Sequence, residues 1–221
     1  MTRRTLYLIV ATLLAATSAE AQRSHLGILA GPTAGMMSGS YVDASSGVEM
    51  GFSFLITLDR EFGDILAVTV GAGWVQKGGR RLALADMADT VGTYGYQTSY
   101  VEVPVSLSAK FRLANGRLSL APHAGLAVGF GMGCKWKHGE QFEFEGTCAA
   151  DKPGGELSSI DVGIPIGVTF AVEFPGGSRF TIADVGYELG LSNVLCGAEA
   201  AGQSVKNGVF SYRFGFAVPL Y

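Results

Sequence analysis

Bulky apolar residues alternate with small or polar residues in eight segments of this chain. The clearest segment runs from Ile160 to Phe174, where every second residue is Ile, Val or Phe. Because successive side chains of a β-strand point to opposite faces, a period of two predicts two-faced strands rather than helices. We place the strands near residues 25–35, 47–58, 64–77, 98–111, 116–131, 158–174, 179–192 and 207–221.

The connections between these segments alternate between short and long. The short ones are residues 59–63, 114–116 and 175–178, and two of them contain the turn sequences Asn-Gly and Pro-Gly-Gly. The connection 36–47 is of medium length, and the long ones are residues 78–97, 133–157 and 193–206. Each segment is about as long as a membrane-crossing strand, which needs roughly 9–11 residues. The pattern predicts an all-β fold: an eight-stranded, antiparallel, up-and-down, closed transmembrane β-barrel with short periplasmic turns and long extracellular loops.

The seventh segment keeps its apolar residues on one face only if the chain slips once at Ala183-Asp184. Phe180 and Ile182 precede the slip, and the apolar residues from Val185 onward follow it. A β-bulge adds one residue to a strand and so shifts the alternation by one position. The slip predicts a bulge here, and the alternative is a shorter strand that begins near Val185.

The apolar face is predicted to point outward into lipid. The opposite face carries mainly Gly, Ala, Ser and Thr, and charged residues are only 16% of the chain. Small residues suit the narrow interior of an eight-stranded barrel, whereas a water-facing surface would carry many Lys and Glu residues. The alternative is a secreted lipocalin-like barrel with its apolar face around a ligand. In the terminal strand the predicted lipid-facing residues are Phe210, Tyr212, Phe214 and Phe216.

Residues 1–21 have the three parts of a secretory signal peptide. Arg3 and Arg4 precede an apolar run, and Ala19-Glu20-Ala21 forms a cleavage site of small residues. We expect removal of residues 1–21, which leaves 22–221 as one barrel domain. Without Arg3, Arg4 and Glu20 the formal charge is 14 basic minus 18 acidic residues, or −4. This balance does not indicate a nucleic-acid partner.

Charged residues at inward positions form the conspicuous polar set. An unpaired buried ion costs several kcal/mol, so charges in a narrow lumen must pair. We interpret the set as a salt-bridged plug, and the alternative is a narrow transport pore or a proton-linked site. The predicted lumen network is Glu49, Lys77, Glu102, Lys110, His123, Asp161, Glu173, Glu188 and Arg213.

The sequence does not indicate an enzyme, a metal or a cofactor. A lipid-modifying enzyme at the rim would need a nucleophile and a base in contact, and Ser119 with His123 is the pair available on one inward face. In an oxidising compartment the three cysteines predict one disulfide. Cys134–Cys148 is one pairing, and a bond from either residue to Cys196 is the other. Zinc binding by the cysteines is disfavoured, because their spacing matches no standard site.

Several stretches resemble the bacterial outer-membrane β-barrel domain family of PorT-like proteins. They are VTVGAGWVQKGG (68–79), YVEVPVSLSAKFRL (100–113), LAPHAGLAVGFGM (120–132), VGYELGLSNV (185–194) and NGVFSYRFGFAVPL (207–220). The resemblance implies an outer-membrane barrel inserted by the barrel-assembly machinery, in contact with outer-membrane lipid and lipopolysaccharide. Some relatives assist secretion, so it also implies a protein partner at the extracellular loops or the periplasmic rim. Tyr221 departs from the pattern, because the outward alternation ends on Leu220.

Overall fold

The computed structural model describes residues 23–40, 42, 47–82, 94–113, 116–138, 144–147, 158–194 and 204–220. These residues form ten β-strands, and no helix in the described ranges is long and apolar enough to span a membrane. The predicted signal peptide and Tyr221 lie outside the described residues. The strands are β1 (Ser24–Ser38), β2 (Glu49–Phe62), β3 (Leu66–Leu82), β4 (Tyr94–Ala109), β5 (Phe111–Leu113), β6 (Leu118–His138), β7 (Phe144–Thr147), β8 (Ile160–Glu173), β9 (Arg179–Gly190) and β10 (Lys206–Leu220).

Eight antiparallel strands close into a barrel. The strand order is β4-β3-β2-β1-β10-β9-β8-β6, and β6 then pairs with β4. The last strand joins the first over its whole length, from Ser24 opposite Leu220 to Ser38 opposite Lys206. Strands β4 and β5 form one crossing that is interrupted at Lys110. The predicted fold class is confirmed, and closure leaves no open sheet edge in the wall of the barrel.

Bulky apolar side chains cover the outside of the barrel. Phe210, Tyr212, Phe214 and Phe216 of β10 are 45%, 42%, 51% and 47% exposed, whereas Ala217, on the opposite face, is buried. The same alternation runs along β2, where Phe54, Ile56 and Leu58 are exposed. A lipocalin-like barrel would place these groups inside, so the structure has the opposite arrangement to that alternative.

Short turns join strands at one end of the barrel, at residues 63–65 and 175–177, while of the predicted turn 114–116 the structure describes Gly116 alone. The first turn lies later than the predicted 59–63, because β2 continues to Phe62. Gly116 (φ 81°) and Gly176 (φ 85°) adopt the left-handed backbone conformation that glycine accepts without a steric cost. The predicted bulge in β9 is also present. Asp184 pairs with Arg213 and Thr181 with Gly215, so one residue of β9 is unmatched between these pairs. The extra residue puts Phe180 and Tyr187 on the same outer face.

Several strands are longer at the other end than the alternation predicts. β3 reaches Leu82, β4 begins at Tyr94 and β6 reaches His138, so parts of the predicted loops 78–97 and 133–157 are strand. The short strand β7 pairs with β6 beyond the barrel wall. Outside the lipid both faces of a strand can be polar, so the alternation that reports a strand is lost there.

Candidate functional site

The lumen contains ionic groups at two levels, with a further pair between them. We call Lys77, Glu102, Asp161 and Glu188 the Lys77 layer, and Lys110, Arg112, Glu61 and Glu173 the Lys110 layer. They come together because inward-facing side chains of different strands meet in the lumen of a closed barrel.

In the Lys77 layer one ammonium group meets three carboxylates. Lys77 Nζ lies 2.7 Å from Glu102 Oε2, 3.2 Å from Asp161 Oδ2 and 2.5 Å from Glu188 Oε1. The strand register explains the meeting, since Gly129 of β6 stands between Glu102 of β4 and Asp161 of β8. A Cβ at Gly129 would lie 3.3 Å from the side chain of Tyr100, so the glycine leaves room for that ring. The Lys77 side chain is only 1% exposed, so its charge depends on these partners.

Uncharged donors complete the surroundings of Asp161. Ser192 Oγ donates to Asp161 Oδ1 at 2.8 Å, and Asn207 Nδ2 donates to Asp161 Oδ2 at 3.0 Å. The ring of Tyr100 lies over Lys77, with its centroid 5.5 Å from Nζ. A cation over an aromatic face gains further electrostatic stabilisation.

The Lys110 layer lies at the end of the barrel that carries the short turns. Lys110 Nζ is 2.7 Å from Glu61 Oε1 and 2.6 Å from Glu173 Oε1. Arg112 is 3.2 Å from Glu61 Oε2 and 3.2 Å from Asp64, which is exposed at the turn. Lys110 falls at the break between β4 and β5, and its amide donates to the carbonyl of Ile65.

Between the two layers lies a cavity of about 120 Å³ whose wall carries both apolar and charged side chains. Arg213 pairs with Asp184 in its wall at 2.7 Å, and Thr169 Oγ1 donates to Asp184 at 2.7 Å. His123 Nδ1 lies 3.5 Å from that hydroxyl oxygen and 3.9 Å from Asp184 Oδ1. Glu102 and Lys110 line opposite ends of the cavity, so it extends from one layer to the other.

The structure places all nine residues of the predicted lumen network on the inner face or at its mouth. Eight of them belong to the two layers or to the wall of the cavity. The ninth, Glu49, is paired with Arg80 at the end with the long loops, where the Arg80 side chain is 43% exposed.

Sequence reasoning missed several partners of this network. Asp59 and Glu61 continue the inward parity of β2, but we assigned residues 59–63 to a turn. Asp59 pairs with Arg179 at the first residue of β9. Asp184 stands at the bulge, where alternation alone does not say which face a residue takes. The alternation along β2 could therefore have identified Asp59 and Glu61 as inward-facing residues. No such signal was available for Asp184, because it lies at the bulge.

The contacts of the enzyme and metal candidates do not favour those alternatives. Ser119 Oγ donates to Glu173 at 3.3 Å, and its predicted partner His123 contacts Thr169 instead. Cys134 is disulfide-bonded, which removes its thiol from metal binding, while Cys148 and Cys196 lie outside the described residues. Across the described part of the chain, no group of three or more His, Cys, Asp or Glu side chains is arranged to hold a metal ion.

A closed, lipid-covered antiparallel barrel with a charged interior is the architecture of outer-membrane proteins. The model of the family described as outer membrane protein beta-barrel domain matches residues 16–195. The chain belongs to this family, and the protein is an outer-membrane β-barrel. No curated protein sequence matches the chain.

One solved structure shows the same fold, and two others are similar over most of the chain. A major outer membrane protein from Thermus thermophilus superimposes with a TM-score of 0.53 at 13% identity, over 91% of this chain and 100% of that one. Ail from Yersinia pestis, solved in complex with the heparin analogue sucrose octasulfate, has a TM-score of 0.41 at 15% identity, over 90% and 99%. Neisserial surface protein A has a TM-score of 0.43 at 16% identity, over 90% and 99%. At these identities the likeness concerns the fold alone.

Proposed function

We propose that this protein is a non-enzymatic outer-membrane barrel with a closed lumen, which acts through its extracellular loops or its periplasmic rim. One observation carries the proposal: ion-paired layers lie at both ends of the lumen cavity, with Lys77 at one end and Lys110 at the other. A solute would have to separate both lysines from their carboxylates. Breaking one buried pair costs about 3–5 kcal/mol, so passage through both is strongly disfavoured.

Planar-bilayer recording tests the closed lumen. We expect the refolded wild-type protein to be silent, whereas a variant with both Lys77→Ala and Lys110→Ala should give steady ohmic steps. Each single variant is the matched control, because it leaves one layer in place and should conduct far less than the double variant. Steady steps from the wild-type protein would contradict the proposal and favour the narrow pore.

The loops and the rim are the proposed working surfaces. The resemblance to PorT-like proteins supports a role in secretion or envelope assembly, through a protein partner. It also supports removal of residues 1–21 on export, insertion by the barrel-assembly machinery and contact of the loops with lipopolysaccharide.

A crosslinked pull-down from native outer membranes tests this part of the proposal. The control replaces residues 83–93 by a short Gly-Ser linker, which leaves β3 and β4 unchanged. We expect a defined partner to be captured by the full chain and reduced by the loop replacement or by charge changes at the rim. An unrelated barrel of similar size is the second control. If it captures the same proteins as the wild-type chain, the proposed partner interaction is contradicted.

A further inference from the structure

The ionic groups of the lumen differ in charge balance. In the Lys110 layer two cations, Lys110 and Arg112, face two buried or half-buried anions, Glu61 and Glu173. Arg112 also reaches Asp64, whose side chain is 93% exposed to solvent, and the neighbouring Arg179 and Asp59 form a neutral pair. Each of the other pairs is neutral, namely Arg213 with Asp184 and Arg80 with Glu49. The Lys77 layer has one cation and three carboxylates, and one minus three leaves a formal charge of −2.

An excess of two negative charges in a buried layer is unfavourable, since each carboxylate repels the others where little water screens them. Lys77, Glu102 and Asp161 are 2%, 3% and 1% exposed. Two carboxylates that share one site cannot both ionise as freely as isolated ones. The layer therefore needs one more positive charge than its side chains supply.

The same layer also holds three buried polar atoms without a hydrogen-bond partner among the described residues: Glu102 Oε2, Asn207 Oδ1 and the hydroxyl of Tyr100. Asn207 is 3% exposed and gives its amide hydrogen to Asp161, but its Oδ1 accepts no hydrogen bond within the described ranges. Glu102 Oε2 has no aligned donor either, although Lys77 Nζ is 2.7 Å away. A buried acceptor without a donor costs about 1–3 kcal/mol. One added hydrogen would supply both a charge and a donor.

We propose that the Lys77 layer binds one proton at neutral pH, shared between the carboxyl groups of Glu102 and Glu188. Asp161 is not the site, because both of its carboxylate oxygens already accept a hydrogen bond, from Ser192 and from Asn207, besides the contact with Lys77. Glu102 and Glu188 have Lys77 as their shared cation, and both line the cavity between the two layers.

A proton fits this layer better than a metal ion. The Lys77 ammonium already occupies the place between the three carboxylates, and no metal-binding cluster is present among the described residues. The charged groups of the layer come from four strands: Lys77 from β3, Glu102 from β4, Asp161 from β8 and Glu188 from β9. Strand β10 contributes the uncharged Asn207. The next charges along the lumen are the neutral pairs Arg213–Asp184 and Glu49–Arg80. None of these pairs supplies the missing positive charge.

The role of this proton rests on the proposed function, a barrel with a closed lumen. The protonated Lys77 layer is the form that keeps the loop end of the lumen closed. Loss of the proton returns the layer to a charge of −2. The carboxylates then repel each other and loosen the layer, so alkaline pH should favour brief openings.

Infrared spectroscopy of the folded protein in vesicles, titrated from about pH 5 to pH 10, tests the site. We expect one protonated carboxyl C=O band to persist at pH 7 and to vanish on the alkaline side. Glu102→Gln and Glu188→Gln should each remove it, because either change lowers the negative charge and lets the remaining carboxyl ionise. An ordinary single acid would lose its band in only one of these variants.

Glu173→Gln is the matched control, since it makes the same change in the charge-balanced Lys110 layer and should keep the band. Heat-modifiable gel mobility confirms that each variant is folded. Where a variant misfolds, the titration of the wild-type protein still shows whether a protonated carboxyl group is present at pH 7. Absence of a protonated carboxyl at pH 7 would overturn the proposal, as would a bound metal ion in its place. Bilayer recording on the same samples separates the two proposals: conductance with the band present contradicts only the closed lumen.

Discussion

Lys77→Met removes the one cation that holds the loop-side layer together. Methionine keeps the length and flexibility of the side chain, so the change leaves little cavity and acts mainly on charge. Removing one member of a buried pair costs about 3–5 kcal/mol, because the partner becomes an uncompensated buried charge. Lys77 faces three carboxylates within 3.2 Å and is 1% exposed, so we expect the upper end of that range, about 5 kcal/mol.

The assay is reversible unfolding in detergent or lipid vesicles, followed as a function of denaturant, with the free energy of unfolding taken from the midpoint and slope. Arg80→Met is the control, since Arg80 is 43% exposed and pairs with Glu49 at the mouth of the lumen. The Glu49 side chain is 7% exposed, so solvent screens this pair mainly on the Arg80 side, and the loss should be well below that of Lys77→Met. Equal losses in the two variants would refute the reasoning, because burial would then not decide the cost.

The pH dependence gives a second test of the same variant. In Lys77→Met the folded state holds carboxylates without a cation, so it takes up protons more readily than the unfolded chain does. Stability rises as pH falls wherever the native state binds more protons. The difference in unfolding free energy between wild type and variant should therefore shrink from about pH 8 to pH 5. A difference that stays constant or grows would mean that the loss comes from packing rather than charge.

Two further predictions concern the outer face and the loops. Phe214→Arg should cost about 2–4 kcal/mol near the bilayer midplane, because a charge then faces lipid, whereas the inward change Ser211→Thr should be mild; equal tolerance of charge on both faces would contradict the face assignment. Non-reducing peptide mapping should find a disulfide between Cys134 and Cys148, because Lys135 and Thr147, their sequence neighbours, pair across β6 and β7; a bond to Cys196 or three alkylatable thiols would contradict this pairing.

Much of the fold can be predicted from the sequence because lipid imposes a strict rule on each strand. The outer face of each strand contacts lipid and is apolar, while the inner face lines the lumen and carries small or polar residues. The period of two therefore appears in every membrane-crossing segment. The slip at Ala183-Asp184 is visible for the same reason, since a bulge must break that period. The extensions of β3, β4 and β6 are not visible, because those residues leave the lipid and lose the constraint.

The candidate site is predictable only in part. The inward parity picks out Lys77, Lys110 and their carboxylates as lumen residues without saying which of them meet. Their grouping depends on the relative shift of neighbouring strands around the barrel. Glu61 is an example. The sequence predicts it in a connection, whereas in the structure it lies in β2, just before the turn at residues 63–65.

The sequence by itself determined the strand number, the closed architecture and the face that meets lipid, because alternation and turn chemistry are local properties of the chain. Only the tertiary structure decided that Lys77 meets three carboxylates while Lys110 lies in a balanced layer. That difference arises from register between strands far apart in sequence, such as β3 and β9. Register is set by the closure of the whole barrel, so no single segment contains it.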